Sequence, residues 1–390
     1  MADVFRQHGP AYRAARRLPR QQLRVMRAIE TCRTQALGGH VEQCGHCSHI
    51  RVSYNSCRNR HCPKCQSLAR ARWLEQRKAE LLPVEYFHVV FTLPEPIAAI
   101  ALQNHKAVYS ILFRATAETL LTIARDPQHL GADIGFFAIL HTWGQNLLFH
   151  PHLHCVVPGG GLSPGGDRWI GCRPGFFLPV RVLSRLFRRL FLDALERAFH
   201  KSELQFFSAL RPLQDPTAFS TYLEPWRSAE WVVYAKPPLG GPGQVLEYLG
   251  RYTHRVAIAN QRLVAMDHEK VTFRWKDYRH RQRPKTMTVD AGEFIRRFLL
   301  HTLPPGFQRI RHYGLLSNHH RRGALARCRL CLATTASQLL PNPRLDFREL
   351  YLALTAQPLN RCPQCGIGTL VIIGNLPAAR WPAQPPERPP

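Results

Sequence analysis

Residues 135–157 read GFFAILHTWGQNLLFHPHLHCVV, and they decide the fold. Gly135–Trp143 and Phe149–Val157 are both rich in aromatic and aliphatic side chains, as strands are. The short gap Gly144–Leu148 is of hairpin length, and the run Pro158-Gly159-Gly160-Gly161 ends the second strand. Upstream, Glu85–Leu93 (EYFHVVFTL) predicts another strand, followed by a long helical pattern over Pro96–Ala124. Downstream, Pro179–His200 is an amphipathic helix and Glu230–Ala235 (EWVVYA) a fourth strand. The order is β-α-β-β-α-β, the split arrangement of a ferredoxin-like α+β fold. Such a fold has an antiparallel sheet with helices on one face.

Chemistry sits on that third strand. In His152-Leu153-His154, strand alternation sends both imidazoles to one face and Leu153 to the other. Two histidines and a third polar ligand hold one divalent cation with positions left open for substrate. His150 shares the parity but precedes Pro151, which leaves its direction open.

A helical segment from Gln244 to about Ile258 contains Tyr248-Leu-Gly-Arg-Tyr252. At i and i+4 both phenols share one helix face, about 6 Å apart at Cβ. An aromatic stripe packed on a core is the bland alternative. Against it, Arg251, His254 and Arg255 surround the pair with positive charge, and Leu246 and Leu249 already supply apolar surface. A phenolate attacks a phosphodiester and stores the bond energy as a phosphotyrosine. A cation held by His152 and His154 would polarise the scissile phosphate. Imidazole ligands favour Mn²⁺, while Mg²⁺ is the abundant ion. Gln244, Glu247 and His150 are the candidates for a third ligand.

Eight of the 12 cysteines form four C-x-x-C pairs. In a reducing compartment these are metal ligands rather than disulfides. Cys44/Cys47 and Cys62/Cys65 follow one another closely and predict one tetrahedral Zn²⁺ site. Cys328/Cys331 and Cys362/Cys365, separated by a longer gap, predict a second, ribbon-like one. Cys32, Cys57, His40, His46, His49 and His61 lie near the first, and Cys57 is the strongest candidate for an additional ligand. Arg51, Arg58 and Arg60 give that segment the charge for DNA contact. Cys155 and Cys172 stand alone, and Cys155 reads as a core residue.

The chain has 390 residues and 53 Lys and Arg against 26 Asp and Glu, a formal charge of +27. Such an excess calls for an anionic partner, and nucleic acid is the first candidate. Codon bias is the alternative, because 45 of the 53 are Arg. A hydrophobic share of 45% excludes wholesale disorder. Neither a signal peptide nor a run of 18 apolar residues is present, so a cytoplasmic protein with no membrane partner is expected. The expected domains are a helical and zinc-binding region over 1–82, a catalytic domain over 83–325, a zinc ribbon over 326–372 and a disordered Pro-rich tail over 373–390.

The ordered motifs CGHC…SCRNRHCPKC, HVVFTLP, HPHLH followed by PGGG, YLGRYTHRVAI and EFIRRFLLHTLPPGFQRIRHYG span roughly residues 30–320. Together they resemble the rolling-circle transposases of the insertion-sequence ninety-one family, within the His-hydrophobic-His (HUH) nucleases. The resemblance implies a transposase that nicks and rejoins single-stranded DNA at element ends through 5′-phosphotyrosine, with a divalent metal. It assigns His152 and His154 to the catalytic metal, Tyr252 and Tyr248 to the nucleophiles, and Cys44, Cys47, Cys62 and Cys65 to zinc. Some relatives keep only the later tyrosine, which makes Tyr252 the first nucleophile. A replication initiator or relaxase would use the same chemistry. A non-catalytic zinc-knuckle DNA-binding regulator would explain charge and cysteines, but not the histidine strand beside a two-tyrosine helix.

Overall fold

A computed structural model describes residues 1–239, 244–245, 250, 257–277, 283–333, 347–355 and 357–379. The chain opens with helices α1 (Ala2–Ala14) and α2 (Arg20–Thr31), strands β1 (Gly39–Cys44) and β2 (Ile50–Tyr54), and helix α3 (Gln66–Lys78). Then follow β3 (Tyr86–Thr92), α4 (Glu95–Gln103), α5 (His105–Arg125), β4 (Gly135–Trp143) and β5 (Phe149–Pro158). A small pair, β6 (Gly160–Leu162) and β7 (Trp169–Gly171), leads to α6 (Val180–His200), α7 (Pro216–Ser228) and β8 (Val233–Leu239). The remainder holds β9 (Leu263–Asp267), β10 (Lys270–Asp277), β11 (Arg283–Asp290), α8 (Ala291–Leu299), β12 (Ile310–Gly314), α9 (Arg321–Cys331), α10 (Phe347–Thr355) and β13 (Leu370–Leu376).

The architecture is mixed α+β on antiparallel sheets. The main sheet has the order β12-β4-β5-β3-β8, with every neighbouring pair antiparallel. One face carries Phe87, Val89, Phe91, Phe136, Ala138, Leu140, Leu153 and Cys155 into a large core shared with α4, α5 and α6. The other face carries Tyr86, Phe137, Ile139 and Val156 against Leu81, Leu82 and Val245 and against Leu325 and Cys328 of α9. Strand β4 is therefore buried on both sides along nearly its whole length, which is why its sequence is continuously apolar instead of alternating.

Leu153 sets the phase of β5. Its side chain is fully buried in the large core, so His152 and His154 must point to the opposite face. Truncating Leu153 to Ala is expected to cost about 2–5 kcal/mol of stability, read as a lower urea midpoint. A midpoint that does not move would show that this anchor is unimportant.

A second core joins the N-terminal helices to the region of β10, β11 and α8. Phe5 and Met26 from α1 and α2 pack with Phe273 of β10 and Phe294 and Phe298 of α8. The Phe5 and Phe298 rings meet edge to face at 5.4 Å. A separate sheet has the order β13-β1-β2.

Several elements carry little signal in the sequence or depart from it. Helix α1 contains Gly9 and Pro10, both poor interior residues, and is held by its tertiary packing. Strand β12 (IRHYG) is half-buried at every position, so it has no alternation to read. Residues 373–376, expected in the disordered tail, complete β13. Among the described residues α5 is long and apolar enough to cross a bilayer. Its apolar positions instead fill the large core.

Candidate active site

The hairpin of β4 and β5 assembles a histidine centre. His141 lies directly opposite His152, and Ile139 opposite His154, so the three imidazoles share the sheet face away from α5 and α6. One ring nitrogen from each of His141, His152 and His154 lies within 4.8 Å of the others. His152 Nδ1 is 2.6 Å from the His150 carbonyl. A carbonyl can only accept, so that Nδ1 carries the hydrogen and a neutral His152 presents a bare Nε2. His152 Nε2 and His154 Nε2 are 3.0 Å apart. On its other side, His154 Nδ1 is 2.8 Å from His88 Nε2 of β3, and the two rings stack. His154 therefore has two neutral forms. If its hydrogen sits on Nδ1 and is donated to His88, both Nε2 lone pairs converge, a disposition that suits a cation between them.

Burial keeps the His88, His152 and His154 rings neutral. It lowers the pKa of His152 to about 4 and that of His88 to about 3. His154 is lowered well below its ordinary value, first by burial and then by the neighbouring histidines. Neutral imidazole is the form that binds metal.

Sequence reasoning left the third ligand open and did not single out His141 or His88. Aligning the hairpin about Gly144–Leu148 would have found His141, because strand partners on one face meet. His150 contributes its carbonyl. Gln244 is exposed, while its neighbour Val245 is buried on the histidine side of the sheet beside Tyr86 and Ile139. Tyr248, Arg251, Tyr252, His254 and Arg255 lie outside the described residues. Gly250 is described, and its carbonyl accepts from the Arg70 guanidinium of α3 at 3.4 Å.

Of the three arginines expected to give the zinc segment its DNA contact, Arg51 pairs with Glu42 at 2.7 Å, and the other two part company. Arg58 is exposed, with a backbone φ of 52°. Arg60 is committed elsewhere: its guanidinium donates to the carbonyls of Phe307 at 2.5 Å and Pro304 at 2.6 Å. Its part is to hold the loop before β12, in place of the DNA contact expected of it.

The thiols are sorted differently from their order in the sequence. Cys32, Cys57, Cys62 and Cys65 form one set, and Cys44, Cys47, Cys362 and Cys365 another, each with all sulfurs within 4.8 Å. The expected set Cys44, Cys47, Cys62 and Cys65 is thus divided between two clusters. In the second set, Cys44 and Cys365 sulfurs are 3.8 Å apart and Cys47 and Cys362 sulfurs 3.7 Å. Amide hydrogens of His46 and Gly368 point at the Cys44 and Cys365 sulfurs from 3.3 Å, which favours thiolates. Strand β13 brings the second pair in by pairing antiparallel with β1, Leu370 opposite Cys44. The approach needs a glycine: a Cβ on Gly368 would collide with the Cys44 sulfur. Cys328 and Cys331 join neither set. They lie on α9, where Cys328 is buried in the apolar cluster with Leu81, Leu82 and Tyr86. Four convergent thiols are the donor set of structural zinc, and both clusters fit it. His61 stays apart from the thiols and accepts from the Leu303 amide at 3.4 Å.

Comparison with known proteins now decides the family. Residues 135–323 match the family described as "Putative transposase", and residues 4–93 match "Transposase zinc-binding domain". A protein named "Putative transposase y4qJ" from Sinorhizobium fredii (strain NBRC 101917 / NGR234) is 64% identical over 376 residues, 96% of this chain and 94% of that one. The chain belongs to the insertion-sequence ninety-one family of transposases. A more distant member, "Transposase for insertion sequence element IS801" from Pseudomonas savastanoi pv. phaseolicola, is 28% identical over 347 residues, 86% of this chain and 79% of that one. No solved structure matches. The transposase match begins at β4 and takes in the histidine centre. The zinc-binding match takes in Cys32, Cys44, Cys47, Cys57, Cys62 and Cys65, whereas Cys362 and Cys365 lie beyond both. A transposase acts on DNA, and its homologues imply DNA cleavage and strand transfer.

Proposed function

We propose that this transposase cleaves and rejoins single-stranded DNA at element ends, by the rolling-circle route, through 5′-phosphotyrosine intermediates on an HUH core. The observation that carries the reading is the convergence of His141, His152 and His154 on one sheet face, with Val245, three residues before Tyr248, buried on that face. The strand order supports it too. Read across the sheet, β4, β5, β3 and β8 are second, third, first and fourth of the four in chain order, the order of a ferredoxin-like core.

His141, His152 and His154 would hold one Mg²⁺ or Mn²⁺, which when bound supplies positive charge to the scissile phosphate. The Tyr252 phenolate attacks phosphorus. A phosphorus–oxygen bond forms to the phenol oxygen, the bond to the 3′ oxygen breaks, and the freed 3′ hydroxyl takes up a proton. Neither water nor an external energy source enters, so the 3′ hydroxyl of another strand can reverse the step and complete transfer. Tyr248 serves the second strand. The two thiol sets hold structural zinc and fold a region of small core. A replication initiator would share the nick, but the transposase relatives favour transposition.

The test is an adduct assay. The protein, Mn²⁺ and a labelled single-stranded oligonucleotide carrying the element's end should give an SDS-resistant covalent species. DNA binding without any adduct would instead support the non-catalytic regulator.

His88 is a positioning residue in this reading, because it fixes the hydrogen of His154 on Nδ1. Replacing it with Ala should weaken Mn²⁺ binding by about 10–100-fold, the usual effect of losing such a partner. His88→Gln, which keeps an acceptor, should recover much of that loss. Calorimetric Mn²⁺ titration reads both, and an unchanged affinity in His88→Ala would remove the role.

A further inference from the structure

Helix α6 carries a charge pattern that the histidine centre does not use. Its opening stretch Val180–Leu192, VRVLSRLFRRLFL, holds Arg181, Arg185, Arg188 and Arg189 and no acid. Leu183, Phe187 and Phe191 point into the large core, which turns Arg181, Arg185 and Arg189 outward as an exposed row at i, i+4 and i+8. Helical rise spaces them about 6 Å apart. Like charges at this spacing oppose the helix, and Arg181 in the first turn opposes its dipole. Such an arrangement is relieved by an anion. Among the described residues Arg181, Arg185 and Arg189 make no ion pair or hydrogen bond. Their neighbours are already engaged: Arg188 donates to the carbonyls of Ser228 and Ala229, and Arg227 to Glu196.

Beside the row runs an open groove of about 640 Å³, lined by Arg185, Arg188, Arg189 and Arg227 together with Leu186 and Leu192. No aromatic side chain lines it. A single strand is held by stacking its bases on aromatics as well as by charge. A duplex exposes its phosphates and hides its base faces, and asks only for cations. The groove lies on the helix side of the main sheet, whereas the histidines lie on the other side. DNA held here is therefore a different segment from the strand at the histidines.

We propose that the arginine row of α6 and its groove dock duplex DNA by its phosphate backbone, without sequence preference. It serves as an anchor on the face opposite the histidine centre.

The test measures binding without Mg²⁺ or Mn²⁺, so the result does not depend on cleavage. Duplex and single-stranded oligonucleotides of equal length are titrated over a range of salt. For the triple variant Arg181→Gln, Arg185→Gln, Arg189→Gln, the slope of log K against log salt on duplex should fall by about 3. Duplex affinity at about 0.15 M salt should drop on the order of a hundredfold, with single-strand binding little changed. The triple Arg→Lys variant should restore the duplex slope, which separates charge from any folding defect. An unchanged duplex slope in the Gln variant would overturn the proposal. So would equal losses on duplex and single strand, or a Lys variant as weak as the Gln variant.

Discussion

Changing Tyr248 and Tyr252 together to Phe is expected to abolish the covalent adduct, a loss on the order of 10⁴-fold or more. Phe keeps the ring and removes only the phenol oxygen, so packing and DNA binding should survive while the bond-forming atom is gone. Tyr252→Phe alone should stop the first cleavage. Tyr248→Phe should leave that first adduct and block transfer to a second strand. His152→Ala with His154→Ala removes two of the three ligand nitrogens that converge within 4.8 Å. That double variant should lower adduct formation by about 10²–10³-fold, the scale of losing a main electrostatic stabiliser. His141→Ala should fall in the same direction, and excess Mn²⁺ should rescue it better than the double variant, because two ligands remain. An adduct persisting in the double Phe variant would sink the tyrosine assignment. Full activity in the double Ala variant would sink the metal centre and leave the tyrosines standing.

The strands that build the histidine centre are legible because their signals are local. The aromatic and β-branched runs at β3, β4 and β5 stand out, and the alternation across Leu153 puts His152 and His154 on one face. His141 and His88 are not legible, because each reaches the site across strands. Reading them requires the register, Cys155 opposite Ala138 on one side and Val89 on the other. The cysteines make the same point more sharply. Spacing groups C-x-x-C pairs by nearness in the chain, whereas the fold groups them by which strands pair, and β13 pairs with β1 across most of the chain's length. Cys328 and Cys331 have the spacing of ligands, but their helix presents them to an apolar core. The excess charge does point to DNA, although Arg60 shows that a basic residue in a zinc segment can serve carbonyls of its own chain.

The interleaving of the thiols has a consequence that metal counting can test. Grouping by nearness pairs Cys44/Cys47 with Cys62/Cys65 and Cys328/Cys331 with Cys362/Cys365. The structure instead places Cys44, Cys47, Cys362 and Cys365 together. Changing those four to Ser should therefore leave one zinc per chain, held by Cys32, Cys57, Cys62 and Cys65, from a full complement of two. Grouping by nearness would leave none, since both sites would lose half their ligands. Cys328→Ala with Cys331→Ala should retain both zincs, for these thiols join neither set. The loss should also be structural. A zinc joining Cys44 to Cys362 closes a loop of most of the chain, and a cross-link of that length contributes up to about 5 kcal/mol by constraining the unfolded state. Cys362→Ser with Cys365→Ser should then lower the melting temperature by on the order of 10 °C, and free β13 from β1 to limited proteolysis. Gly368→Ala should act in the same direction with every ligand intact, because its Cβ would run into the Cys44 sulfur. Zero zinc in the fourfold Ser variant, or loss of a zinc on removing Cys328 and Cys331, would overturn the interleaved arrangement.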